Sequence, residues 1–378
     1  MDQHHRSDIR KIISLMCAAV ICLTSCLALV SCGGSDTSGG SGEEPAASDE
    51  AGSVDIDSAV ISDYTEMDDG ALAVDVFAMD TYMTLKVYGD NREEALDKAT
   101  EEILRIDALL STGSENSEVT KLNKAGGGSL SEDTEFLVER SLAIYRDTDG
   151  LFDITIYPVM KLWGFTDQNY RVPDDDELSA ALDRVDASQI SLEQDKITLG
   201  DSQEIDLGGI AKGYTSARVM EIFEECGVSA GLVSLGGNVQ SYGTKTDGSD
   251  WKVAVRDPED DSNYLGVIRT HDQAVITSGG YERFFEEDGK TYHHIIDPST
   301  GYPAENGIIS STIISDDGTL ADGLSTSLFV MGAAKASEYW DKHRDEFDFI
   351  LETSDHKVYV TEGIADKFDT DLEVILVK

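Results

Sequence analysis

Asp206-Leu207-Gly208-Gly209-Ile210-Ala211-Lys212-Gly213-Tyr214 reads as a strand end (from Ile205) that runs through a double glycine and a lysine into a helix. Glycines let backbone N–H and C=O groups approach a ligand, and a helix N-terminus favours phosphate. Lys212 adds a point cation. The spacing is not Gly-x-x-x-x-Gly-Lys-Ser/Thr, so this is no Walker A loop, and the Rossmann glycine fingerprint is missing too. Taken alone, a tight turn with structural glycines explains the run equally well. Around it, strand clusters and helices alternate without a regular βαβ rhythm. That predicts an α+β fold of mixed sheets and helices rather than a doubly wound parallel sheet.

Outward from that run, apolar spacing at Ala95, Ala99, Ile103, Ile106 and Leu110 predicts a helix over Arg92 to Leu110. Ser131 is a candidate N-cap for a helix over Glu132 to Arg146, and a third helix follows Pro173, from Asp174 to Val185. The helix after the glycines is placed at about Tyr214 to Glu225. Val74 to Val87 reads as strand, as do Gly231 to Leu235, Trp251 to Val255, Gly266 to Arg269, Ala274 to Ile276 and Ile308 to Ile314. Leu320 to Val330 reads as a helix rich in small residues.

The chain has 378 residues, 74 acidic and 29 basic, for a formal net charge of −45. A field of that sign repels phosphate polymers, so no nucleic-acid partner is expected. An anionic ligand must instead be held by local cations, helix N-termini or a metal. With 40% hydrophobic residues the chain is globular, which excludes wholesale disorder. Of the five cysteines, Cys17, Cys22, Cys26 and Cys32 crowd the N-terminus, and Cys226 sits alone in the body. That distribution excludes a disulfide framework, and Cys226 reads as a buried thiol.

Arg6, Arg10 and Lys11 precede an uncharged run from Ile12 to Val30, the layout of a secretory signal. Leu29-Val30-Ser31-Cys32-Gly33 resembles a bacterial lipobox, with Cys32 as the lipidated residue, and Leu23-Thr24-Ser25-Cys26 is a second candidate that fits less well. An uncleaved signal anchor is the other option; either one puts the body at the cell membrane on its extracytoplasmic face. From Gly33 to about Gly70 there is no Lys or Arg, and such a segment is a flexible acidic tether.

Three more segments carry chemistry. In Tyr292-His293-His294-Ile295-Ile296-Asp297-Pro298-Ser299-Thr300-Gly301, a fixed turn displays two histidines. Neighbours on a strand face opposite ways, so His294 shares a face with Tyr292 and Ile296 rather than with His293. Ala321-Asp322-Gly323-Leu324-Ser325-Thr326 puts Asp322 and Thr326 one helical turn apart, a carboxylate and a hydroxyl suited to Mg²⁺. An N-cap at Asp322 fits the spacing as well. Thr148 to Thr155, with Pro158, Trp163 and Phe165 beyond, either walls a planar ligand or packs as core. Thr277 to Arg283 and Leu235-Gly236-Gly237-Asn238 complete the set.

Together these segments resemble the ApbE family of flavin transferases, exported and often lipid-anchored proteins that move FMN from FAD onto a protein. The resemblance runs in order from about Phe77 to the C-terminus. It includes Met79-Asp80-Thr81, where the family has Met-Gly-Thr, and Ser114-Glu115 to Asn123. It implies one large catalytic domain over residues 71–378, behind a signal peptide (1–31) and a lipidated linker (32–70). By position it implies Mg²⁺ held by Asp322, Thr326 and the backbone carbonyl of Gly209. It also implies FAD contacts from Met79, Leu151, Phe152, Asp153, Asp206, Lys212 and Ile296, and a catalytic His294 acting as base or as phosphate contact. Ala217, Gly113 and Ser325 depart from residues that many or some members carry there, as Asp80 does.

The reaction so implied is Mg²⁺-dependent transfer of FMN from FAD to a threonine of an exported or membrane-bound acceptor, with AMP released. An FAD pyrophosphatase would use the same site with water as acceptor. A lipid-anchored flavin-binding protein would explain the anchor and leave the Asp322/Thr326 pair and Lys212 without a purpose.

Overall fold

The computed structural model describes residues 61–260 and 262–378. The signal, the lipobox with Cys32, and the linker up to residue 60 lie outside the described residues. In chain order the first elements are β1 (Thr65–Glu66), β2 (Leu72–Ala78), β3 (Thr81–Tyr88), α1 (Arg92–Leu110), α2 (Glu118–Ala125), β4 (Gly127–Ser129) and α3 (Glu132–Asp147). Then come α4 (Tyr157–Trp163), α5 (Asp175–Leu182), β5 (Ser191–Glu193), β6 (Lys196–Thr198), α6 (Gly208–Cys226), β7 (Ala230–Leu235) and β8 (Asn238–Tyr242). The strands β9 (Trp251–Arg256), β10 (Tyr264–Thr270), β11 (Ala274–Gly279), β12 (Phe284–Glu287), β13 (Lys290–His293) and β14 (Ile308–Ser315) follow. The chain closes with α7 (Gly318–Met331), α8 (Ala333–Lys342), β15 (Asp348–Thr353), β16 (Val358–Thr361), β17 (Phe368–Asp369) and β18 (Val374–Val377).

A ten-stranded sheet runs β1-β2-β3-β7-β8-β11-β14-β15-β16-β18. Its pairings are antiparallel up to β16, and only the last pair, β16 with β18, is parallel. The fold is α+β, as the irregular rhythm predicts. Both faces of the middle strands are covered, because alternate residues point opposite ways. On β14, Ile313 joins the helix-side core with Ile276, Leu324 and Leu328, whereas Ile314 joins a second core with Val253, Val255 and Phe368 of β9 and β17. Burial on both sides is why β14 carries isoleucines on both faces, with Ser310, Ser311 and Thr312 buried between them.

Helix α1 matches its predicted span residue for residue, and Ala95, Ala99, Ile103 and Ile106 are fully buried. Burying each isoleucine contributes roughly 1.5–3 kcal/mol. Ser131 caps α3 by accepting from the Thr134 N–H, and Asp174 caps α5 with Glu177 in a capping box. Cys226 is buried and unpaired, as expected.

Four expectations need correction. Order begins before Ala71: β1 pairs with β2, and Arg92 bridges Glu66 at 3.0 Å. Val74 to Val87 is a hairpin rather than one strand, turning at Met79 and Asp80 with φ of 49° and 57°. Asp80 tolerates that left-handed turn, but without glycine or proline the apolar run reads as continuous. Residues 205–207 form no strand, and α6 starts at Gly208, six residues before Tyr214, so the glycines and Lys212 are helical. Finally, Asp317 caps α7 by accepting from the Leu320 N–H, which removes the N-cap role from Asp322.

Candidate active site

The site is built where α6 crosses α7. A Cβ on Gly213 would sit 2.1 Å from the Gly318 carbonyl oxygen and 2.6 Å from Asp322 Cβ, so only glycine allows this approach. Contact at that distance lets the Gly213 N–H donate to Asp322 Oδ2 at 2.8 Å. Asn238, just after the β7–β8 turn, donates to Asp322 Oδ1 at 3.0 Å. Asp322 is buried, and burial pushes its carboxyl pKa up against the opposing charge of Lys212 and these hydrogen bonds. Among the described residues no cation forms an ion pair with it.

Hydroxyls gather about one helical turn on from Asp322. Ser278 Oγ lies 2.7 Å from Ser325 Oγ and 3.3 Å from Thr326 Oγ1, and Ser325 Oγ donates to the Asp322 carbonyl at 2.7 Å. Among the described residues no three His, Cys, Asp or Glu side chains gather as a metal site. A cation here would therefore rest on one carboxylate plus neutral oxygens. That donor set fits a hard, oxygen-preferring ion, and an uncompensated buried carboxylate is what such an ion would offset.

The approach to α6 is clamped from a distance. The Asn123 side chain accepts the Ile205 N–H at 2.7 Å and donates to the Ile205 carbonyl at 2.8 Å. The Asp206 N–H donates to the Ile154 carbonyl at 2.9 Å, and Asp206 Oδ1 accepts from the Gly208 N–H at 2.8 Å. Burial raises the Asp206 pKa, opposed by the Gly208 hydrogen bond and the charges of Arg283 and Lys212. Gly208 and Gly209 stay exposed, and a Cβ on Gly209 would meet Phe152 Cε2 at 3.1 Å.

Leu151 and Met79 pack partly buried against the helix-side core, with Met79 Sδ 3.8 Å from Thr215 Oγ1 on α6. Asp153 is engaged by its own surroundings. Its Oδ1 accepts from the Thr155 N–H and hydroxyl, and its Oδ2 from the Ala187 N–H at 3.1 Å. Trp163 is fully buried, donates to the Gly301 carbonyl at 2.8 Å, and packs on Phe285, Tyr292 and Tyr302. Trp163 and Phe165, at the far end of the aromatic segment, are thus core, and Ile296 lies within the same cluster, whereas Phe152 lies against Gly209.

The two histidines part company as strand alternation predicts. His293 is turned to Phe329, edge-on at 5.4 Å, and both ring nitrogens meet backbone, the Ala304 carbonyl and the Ile295 N–H, each at 3.3 Å. His294 faces Phe165 on the side of Tyr292 and Ile296. Its Nδ1 lies 3.2 Å from the Arg283 carbonyl, which also accepts the His294 N–H at 3.0 Å. A carbonyl only accepts, so Nδ1 carries the proton and Nε2 keeps its lone pair. Burial, helped by the charge of Arg283, pushes the His294 pKa down to about 3. The ring is neutral at physiological pH.

Lys212 is half-buried, and its ammonium makes no hydrogen bond or ion pair among the described residues. Its charge is felt at Asp322, Asp206, His294 and Glu282, which places it among all four. The Glu282 side chain is reached by water yet hemmed in by protein, which raises its pKa to about 7. An open hollow of about 440 Å³ between α1 and α2, lined by Arg105, Leu109 and Lys121 among others, involves none of these residues.

The profile of the ApbE family matches residues 79–351, a span that contains every site residue named above. The chain belongs to the ApbE family. An FAD:protein FMN transferase of Klebsiella pneumoniae is 32% identical over 291 residues, covering 75% of this chain and 89% of that protein. One from Treponema pallidum is 31% identical, covering 76% and 86%. The crystal structure of the ApbE protein of Thermotoga maritima superposes with a TM-score of 0.74 at 33% identity, covering 81% of this chain and 99% of that one.

Against the ApbE pattern, Asp80 adopts the left-handed backbone that a glycine takes without cost, and it pairs with Arg283 at 3.2 Å. Ser325 offers a hydroxyl where some members carry an acid. Asn238 and Arg283 stand within motifs visible in the sequence, but their partners, Asp322 and Asp80, are remote along the chain. The double glycine before Asn238 was the available signal for a tight turn there.

Proposed function

We propose that this ApbE-family chain is an FAD:protein FMN transferase that joins FMN to an acceptor-protein threonine and releases AMP. The observation that carries it is Lys212, a half-buried cation with no ion-pair partner among the described residues, whose charge reaches both the buried Asp322 and the neutral His294, in a chain whose relatives bear that name. Asp322, Thr326 Oγ1 and the Gly209 carbonyl would hold Mg²⁺, which when bound supplies charge stabilisation at the diphosphate. Lys212 draws the dianionic diphosphate into a chain of net charge −45. Met79, Leu151, Phe152, Ile296 and the backbone around Asp153 and Asp206 shape the flavin and nucleotide walls.

The dianionic diphosphate offsets the charges of Arg283 and Lys212 that help hold the His294 pKa down. With substrate bound, His294 Nε2 therefore takes the proton of the threonine hydroxyl, whose Oγ attacks the FMN-side phosphorus. The bond from that phosphorus to the bridging oxygen breaks, and AMP leaves with the electron pair. Positioning and charge stabilisation supply most of the rate in such transfers. We further propose that Cys32 is lipidated and that the enzyme works at the extracytoplasmic face of the membrane on exported acceptors. No described helix is long and apolar enough to cross a membrane.

Incubation with FAD, Mg²⁺ and candidate exported proteins, followed by in-gel flavin fluorescence, tests the transfer. Covalent fluorescence that requires acceptor supports it. Free FMN and AMP without any labelled protein would make the chain a pyrophosphatase, and FAD binding without turnover would make it a carrier. For the anchor, Cys32→Ala should leave the membrane fraction or remain unprocessed; unchanged processing and membrane retention would send the anchor to Cys26 or to a signal anchor.

A further inference from the structure

The hairpin turn at Met79 and Asp80 reaches the segment after β11 through an ion pair, Asp80 Oδ2 to Arg283 Nη2 at 3.2 Å. We propose that Arg283 grips the diphosphate of FAD, and that Asp80 occupies this guanidinium as a carboxylate stand-in until the substrate displaces it. The proposal rests on the transferase reading above.

Arg283 is anchored where such a grip is needed. Its carbonyl accepts both the backbone N–H and Nδ1–H of His294, so its backbone is tied to the proposed base. Its positive charge is felt at His294, Asp206 and Glu282, three groups that Lys212 also reaches. The two cations therefore flank the same space. A guanidinium presents a planar fork that suits carboxylate and phosphate oxygens alike, so one anion can replace the other.

The pair is built for exchange. Its side chains are 45% and 67% exposed for Arg283 and Asp80, and an exposed pair of this kind holds weakly. Asp80 nevertheless sits in a fixed place, because Ala78 and Thr81 pair directly across the turn and both turn residues adopt left-handed φ. A carboxylate at that point lowers the affinity of the resting site for any anion and eases departure of the anionic product.

FAD affinity of the full chain, read by flavin fluorescence at low and high salt, tests this with Arg283→Gln, Asp80→Asn and the double variant. Asparagine also tolerates the left-handed turn, and thermal melting checks that each variant folds. Arg283→Gln should weaken FAD binding about tenfold or more, and Arg283→Lys should restore part of it. Asp80→Asn should tighten binding about two- to fivefold at low salt, less at high salt, and not at all in the Arg283→Gln background. If the parent binds FAD and Arg283→Gln binds it equally well, Arg283 is no grip. An Asp80→Asn effect of the same size in both backgrounds removes the stand-in. A parent chain that binds no FAD would overturn the transferase reading and this proposal with it.

Discussion

The two sides of the site are made differently. Asp322 lies at the α6–α7 crossing, buried, held by a backbone N–H and an amide, with no room for a methyl group at Gly213. His294 and Arg283 lie on a rim just outside the short β12–β13 hairpin, half-open to water and held by one shared carbonyl. The crossing is preorganised by packing, so it can present a carboxylate to a cation without moving. The rim is held by a few hydrogen bonds, which suits groups that must meet a substrate and then release it.

That contrast can be broken first at Asp322. Asp322→Ala removes the only charged ligand of the proposed Mg²⁺ site, so transfer should fall below detection while melting shows a folded protein. Activity that persists at low Mg²⁺ would reduce the crossing to a structural joint. Next comes His294→Ala, expected to slow transfer roughly 10²–10⁴-fold with FAD affinity little changed, as for a general base. His293→Ala, whose ring serves backbone and Phe329, should cost well under that on rate; equal losses would erase the distinction between the two faces.

Gly213→Ala probes the packing itself. Overfilling the crossing should cost about 1–3 kcal/mol in denaturant melts, and any shift of Asp322 should show as a higher Mg²⁺ concentration for half-maximal rate. The same substitution at exposed Gly208 should be close to neutral for stability, since its nearest Cβ neighbour is the flexible Asp206 carboxylate at 3.2 Å.

The smallest effect concerns pH. His294 has a folded pKa of about 3, well below the free imidazole value of about 6.5, so between those values the unfolded chain binds more protons. Stability from this group is full above about 6.5 and is lost as pH falls toward 3. Buried acids with raised pKa, such as Asp322 and Asp206, pull the other way. Comparing melts of His294→Gln with the parent isolates the histidine: the variant should gain relative stability as pH drops from 7 to 4. A constant difference would mean that His294 titrates normally.

Much of this protein was legible along the chain. The period of Ala95, Ala99, Ile103, Ile106 and Leu110 specifies α1, the Ser131 hydroxyl starts α3, and the Asp297-Pro298 turn closes through Gly301 as its composition demands. Those signals act over a few residues, through helical spacing, capping and turn chemistry, so local sequence suffices. The ordered motifs likewise point to the ApbE family by themselves.

Tertiary contacts decided the rest. Glycine disfavours helix, so Gly208, Gly209 and Gly213 place the start of α6 at Tyr214 by propensity alone; the helix starts at Gly208 because glycine lets α6 lie against α7. Asp322 finds its partners 109 and 84 residues away, at Gly213 and Asn238, and Asp153 holds Ala187 across 34. No periodicity or cap encodes such pairs. They exist only once burial has brought distant segments together and each polar group must find a partner within hydrogen-bond reach.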